Sequence, residues 1–197
     1  MLASITPLGE RSRNSRWGTT VTAFLTGSVL AGAVWGSAAG LLGAPIARWI
    51  PGSVRVWALA AFITAGVLFD LGVLGRKLPG PRRQVNEQWL QRYRGWVYGL
   101  GFGAQLGAGA VTIVSTSAVY SAIAAVFLAG SAGWGAIVGT TFGLVRALAV
   151  VPARRVTRPG DLVVLDAVLR RWDRPVRVAS AGLLCSLLVI SAAWAAL

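Results

Sequence analysis

The chain has 197 residues, of which 55% are hydrophobic and 13% charged. Globular domains carry about 25% charged residues, so this composition argues against an ordinary soluble fold and for one immersed in lipid. A net charge of +13 would suit nucleic acid in a soluble protein, but here the basic residues fall between apolar runs, and no nucleic-acid partner is expected.

Residues 1–16 are polar, and Arg11, Arg13 and Arg16 precede the first apolar run. That run, 19–46, is longer than the apolar core of a signal peptide, so it reads as an uncleaved first crossing. Arg48-Trp49-Ile50-Pro51-Gly52 closes it: Pro and Gly mark a turn, and Trp49 suits a membrane interface. A second crossing covers 54–75. The polar stretch 76–95 follows, opening on Pro79-Gly80-Pro81. Val85, Trp89 and Tyr93 then recur every four residues, as in a short helix lying on the membrane; a solvated loop is the alternative.

From Trp96 to Val151 the one charge is Arg146, and a crossing needs only ~20 residues, so two crossings are expected here. Two places could hold the turn, Ser115-Thr116-Ser117 or 129–133, and the second is preferred for Gly130 and Gly133. The third crossing, 97–128, would then be ~48 Å long at 1.5 Å per residue. It must tilt, bend or break, and Gly99, Gly101, Gly103, Gly107 and Gly109 supply the places. The fourth crossing is 133–151. In the basic segment 152–175, Asp161 reads as a helix N-cap. Leu162, Leu165, Leu169 and Trp172 suggest a second surface helix, ended by Pro175. The fifth crossing is 176–197.

The expected fold class is therefore all-α: a polytopic helical membrane protein of one domain. It has five transmembrane helices, two short cytoplasmic interfacial helices and an inverted repeat as a further possibility. Of the 19 Lys and Arg, only Arg48 and Arg55 fall on one side of this topology. Basic loops stay inside, so the N-terminus is expected in the cytoplasm and the C-terminus outside, in the inner membrane. Anionic lipid at the cytoplasmic face is the expected surroundings. A membrane-protein partner or a homo-oligomer is a further expectation.

Chemistry is sparse. Histidine is absent and Cys185 is the single cysteine, which removes the commonest general base and any internal dithiol. No metal site, cofactor or catalytic residue is expected, and no enzyme. Asp70 is the one acid within an apolar run, about 9 Å inside the cytoplasmic end of the second crossing. Arg146 lies at a similar depth, so the two suggest an intramembrane ion pair, with Asp70 paired to a snorkelling Arg76 or Lys77 as the other structural reading; a gate or an ion-coupled carboxylate is the functional alternative. Gln105, Thr112, Ser115, Thr116, Ser117 and Tyr120 are candidates for a solute path, or for hydrogen-bonded packing. Gly27, Gly32, Gly36 and Gly40 form a packing surface, within the chain or toward a partner.

Phe24-Leu25-Thr26-Gly27-Ser28 recurs as Phe127-Leu128-Ala129-Gly130-Ser131. At the same offset Gly32, Gly36 and Gly40 meet Gly135, Gly139 and Gly143. The segments starting at Gly99 and Gly135, with Gly27 to Gly43 and 54–75, resemble the CcdA family, which includes the DsbD membrane domain and belongs to a LysE-type superfamily. The resemblance implies two inverted halves and, in the family, a thiol relay between two helices. The family's first helix has no counterpart here, and no cysteine or proline stands at Gly107 to Val111, where its Pro-Cys would fall. The resemblance thus implies a transporter-like or CcdA-like scaffold without redox activity, moving a small solute. A non-catalytic accessory subunit or assembly factor of a larger membrane complex is the alternative, and a thiol-disulfide relay partner the third reading.

Overall fold

The computed structural model describes residues 5–71, 92–109 and 117–196. Among these the chain is all-helical. The helices are α1 (Pro7–Ser12), α2 (Trp17–Trp49), α3 (Gly52–Asp70), α4 (Gly95–Gly107), α5 (Ala118–Ala129), α6 (Ala132–Leu148) and α7 (Pro159–Ala196). A 3₁₀ turn, Val151–Arg155, follows α6. Three segments, Trp17–Trp49, Gly52–Asp70 and Ala132–Arg155, are long and apolar enough to cross a membrane. Large apolar side chains point outward: Trp35, Leu42, Trp49 and Trp57 are all exposed. A soluble protein would bury such groups, so this is a helical membrane protein.

The central element is α2. It ends at Ile50, whose extended backbone is what a residue before proline prefers, and Pro51 then starts α3. On one side α4 runs parallel to α2: methyls on Gly99, Gly103 and Gly107 would strike the carbonyls of Thr20, Phe24 and Ser28. On the other side α6 runs antiparallel: Gly32 meets Gly139, Gly36 meets Gly135, and Gly40 meets Ser131. Backbones approach this closely only where at least one of the two helices lacks a Cβ at the contact. The Ser28 hydroxyl fastens the seam by donating to the Gly143 carbonyl at 2.8 Å. The glycine surface at 27, 32, 36 and 40 is thus spent within the chain, with Gly27 against α4 and the others against α6.

The segment expected as one crossing, 97–128, lies in two pieces. Helix α4 stops at Gly107, Gly109 takes a left-handed φ of 68°, and α5 starts afresh after Ser117. A second left-handed glycine, Gly130, ends α5, as such residues commonly do, and the Ser131 hydroxyl accepts from Trp134 N to open α6. The turn between α5 and α6 therefore falls within 129–132. The repeated Phe-Leu-x-Gly-Ser differs in its two settings: Gly27 lies inside a helix and Gly130 in a turn. From Ser28 and Ser131 onward, however, the matched residues are those that touch across the α2/α6 seam.

Helix α7 is continuous through Pro175, where the sequence suggested a stop. A proline interrupts one backbone hydrogen bond, which membrane helices tolerate. At its start Asp161 is a first-turn residue and not the cap: its Oδ2 accepts from the backbone of Thr157 and Arg158, both at 2.8 Å. An acid reaching back from the first turn satisfies orphan N–H groups. These bonds hold its carboxyl below the usual carboxylate range. The stabilisation is therefore present above the unfolded pKa, about 3.9, and is lost as pH falls through the lowered folded value. Amide protection at Thr157 and Arg158 should drop on acidification, and Asp161→Ala should reproduce the drop at neutral pH.

The expected surface helix at 85–93 falls mostly outside the described residues.

Candidate functional site

The break between α4 and α5 is where polar chemistry enters the bundle. The start of a helix leaves N–H groups without intrahelical partners, and these are costly wherever water does not reach them. Asp70, at the end of α3, meets that need. Both of its oxygens accept from Ser117 N at 3.0 Å, and Oδ2 accepts from the Ser117 hydroxyl at 2.7 Å. At the other end of α5, Arg55 Nη1 donates to the Leu128 carbonyl at 2.9 Å. One helix thus supplies an anion to the positive end of α5 and a cation to its negative end, each favourable to the helix dipole. Gly66 lets α3 approach Ser117 closely. One turn on, the Ser121 hydroxyl is buried with no hydrogen-bond partner among the described residues.

The ion pair suggested for Asp70 and Arg146 does not form. Helix α3 packs on α5 and α7, whereas α6 packs chiefly on α2 and α4, so the two residues belong to different seams. Arg146 Nη1 donates to the Leu106 carbonyl at 3.3 Å, and its guanidinium lies 5.3 Å over the Phe142 ring. Asp70 therefore acts locally as a cap. Asp70→Ala should cost about 1–2 kcal/mol, whereas Asp70→Asn, still an acceptor, should cost under about 1 kcal/mol. Thermal melts in detergent check this; equal losses from both variants would mean that the charge and not the acceptor is what α5 uses.

Gln105 is half-buried on α4, Ser117 is taken up by Asp70, and Tyr120 is half-buried on α5. Thr112, Ser115 and Thr116 lie outside the described residues. Beside the break is a cavity of about 310 Å³ between α2, α5 and α6. Gly32, Trp35, Gly36, Ile123, Val126 and Phe142 are among its lining residues, and neither Gln105 nor Tyr120 is. Among the described residues the wall is apolar and offers a polar solute little to bind.

A second polar cluster went unseen in the sequence because it sits in the N-terminal segment, among polar neighbours. Glu10, on α1, is fully buried. It pairs with Arg13 at 2.8 Å and accepts from the Thr20 hydroxyl at 2.7 Å and from the Tyr98 hydroxyl. Burial opposes the Arg13 charge, but hydrogen bonds with Glu10 and Tyr98 outweigh it and raise its pKa. Ile5 and Thr6 are buried as well, and Leu8 N bonds the Val156 carbonyl. The segment 5–15 therefore closes one end of the bundle, joining α2, α4 and the 3₁₀ turn. Its only sequence signal was Thr6-Pro7, a capping residue followed by a first-turn proline.

The fold and sites define a helical membrane protein with a glycine-seamed bundle, a capped internal helix break and no described catalytic constellation. Among the described residues no group of His, Cys, Asp and Glu could hold a metal. The chain is 30% identical over 181 residues to the methylamine utilization protein MauF of Methylorubrum extorquens, a match covering 87% of this chain. It spans 60% of that relative's length. No family model matches the chain, and no solved structure gives a significant match.

Proposed function

We propose that the protein is a non-catalytic accessory or assembly subunit of a membrane-bound enzyme system, with methylamine utilization the first system to test. The similarity to MauF along most of the chain carries this reading. The reading is further supported over a solute carrier by the cavity at the helix break, whose lining is apolar among the described residues. The glycine surface is consumed internally, so a partner would dock elsewhere, on the outward aromatic and aliphatic faces. In this reading the chain is a divergent CcdA-like scaffold of five crossings without the redox cysteines. Cys185 lies on α7, and Gly107, where the family's Pro-Cys would begin, is the last residue of α4.

The proposed orientation, N-terminus in the cytoplasm and C-terminus outside, is supported by where the arginines gather. Arg13, Arg16, Arg92 and Arg94 surround the starts of α2 and α4, and Arg154 and Arg155 follow α6 at the same end. Arg48 and Arg55 lie at the opposite end of the bundle.

Deletion of the gene tests the function. The expected result is loss of growth on methylamine, together with loss of the mature enzyme from the membrane fraction, both restored by Cys185→Ala as well as by the native chain. Normal enzyme levels in the deletion strain, with solute uptake by the purified protein in liposomes, would replace the accessory reading with the carrier. Failure of Cys185→Ala to restore growth would favour the thiol relay.

A further inference from the structure

The starts of α2 and α4 frame an open cavity of about 770 Å³ that the proposed function does not use. Four arginines line it: Arg13, Arg16, Arg92 and Arg94. No acid does so among the described residues; the nearest, Glu10, is fully buried and turned onto Arg13, Thr20 and Tyr98. The arrangement is electrostatically costly. Arg16 and Arg94 are themselves the cap residues of α2 and α4, neither helix has a side-chain cap, and neither has an acid in its first turn. Cations at the positive ends of two parallel helices repel those ends. The glycine contacts of α4 with Thr20, Phe24 and Ser28 hold the two helix starts side by side, so the repulsion cannot relax by separation. An anion in the cavity offsets all of these charges at once.

The surroundings indicate what kind of anion. Tyr93 and Trp96 also line the cavity, and both are exposed. Trp96 and Leu100, one turn apart, are outward-facing on α4, so an apolar strip leads from the cavity along the bundle. Aromatic rings with arginines at the end of an apolar helix mark the headgroup level of a bilayer. We propose that this cavity is a binding site for a phosphate group, held by the Arg16, Arg92 and Arg94 guanidiniums between the starts of α2 and α4. The phosphate is that of an anionic phospholipid whose chains follow the Trp96 and Leu100 strip, or a free phosphate of the same chemistry. The site is independent of the accessory role.

The test uses the full chain purified in mild detergent. One arm measures retention of phosphatidylglycerol against phosphatidylcholine by native mass spectrometry. The other measures the shift in melting temperature with inorganic phosphate against chloride at equal ionic strength. Preferential retention of phosphatidylglycerol identifies the lipid, and stabilisation by phosphate alone identifies the free ion. Arg16→Gln with Arg94→Gln should weaken the response about tenfold or more, since charge-assisted bonds to phosphate are lost. Thr19→Glu places a carboxylate in the same cavity, in the first turn of α2, where an acid suits the helix. It should abolish binding without lowering the melting temperature, which separates loss of the site from loss of the fold. Arg154→Gln with Arg155→Gln removes two exposed charges that do not line the cavity and should leave binding intact. The proposal is overturned if neither arm responds, if Thr19→Glu binds as well as the native chain, or if the Arg154 and Arg155 variant loses as much as the Arg16 and Arg94 variant.

Discussion

Gly36→Ala is expected to be among the most damaging single substitutions in the protein, although it adds only a methyl group. That methyl would overlap the Gly135 carbonyl oxygen, and the obstacle is helix backbone, which cannot rotate away as a side chain can. The α2/α6 seam must open, and overpacking of this kind costs roughly 1–3 kcal/mol. For a chain of this length the loss corresponds to a melting-temperature drop of up to about 10 °C. Gly139→Ala should behave alike, because its methyl would meet the Gly32 carbonyl. Gly18→Ala is the control: nothing lies within 4 Å of its Cβ, and alanine is the better helix former by about 1 kcal/mol. One substitution thus takes opposite signs on one helix. Melts of the three variants in a single detergent measure this, and a Gly36→Ala protein as stable as Gly18→Ala would show that α2 and α6 are not in backbone contact.

Glu10→Ala should be comparably severe for a different reason. It removes no apolar packing of note, but it strips Arg13, Thr20 and Tyr98 of their shared acceptor in a buried place. Breaking such a pair from one side costs about 3–5 kcal/mol when both partners are buried. Arg13 keeps some access to water, its side chain being 23% exposed, so the lower end of that range applies. Glu10→Gln retains an acceptor and should lose roughly half as much. The readout is the detergent melting temperature together with proteolysis of residues 5–15, which should become sensitive in Glu10→Ala as the segment comes off the bundle. A resistant N-terminus would mean that Ile5 and its apolar neighbours hold the segment without the polar cluster.

The glycine spacing on α2 was legible because a glycine every four residues can do little except admit another backbone. Its partner was not legible. The same spacing serves a seam within one chain or between two, and only the contacts with Gly135 and Gly139 show that it is internal. Asp70 was conspicuous as an acid in an apolar run, yet the pairing with Arg146 was a misreading. Arg146 matched it in depth, but depth says nothing of which helices are neighbours, and Asp70 caps α5 instead. Glu10 was missed altogether, since an acid among polar residues near the start of a chain looks like solvated tail until the bundle closes over it. The long run 97–128 showed that a crossing had to tilt, bend or break, without saying which. Where it breaks depends on Gly109 adopting a left-handed backbone and on Asp70 standing ready to cap the start of α5.

Composition and charge order by themselves determine that this chain lives in lipid as a set of apolar helices, because hydrophobic length and the placement of arginines act locally and need no partner. The tertiary structure alone decides which glycine meets which carbonyl, where the helix restarts after Gly109, and that Glu10 is interior. These are properties of helix neighbourhood, and neighbourhood is settled by packing between segments far apart in the chain, which no local pattern encodes.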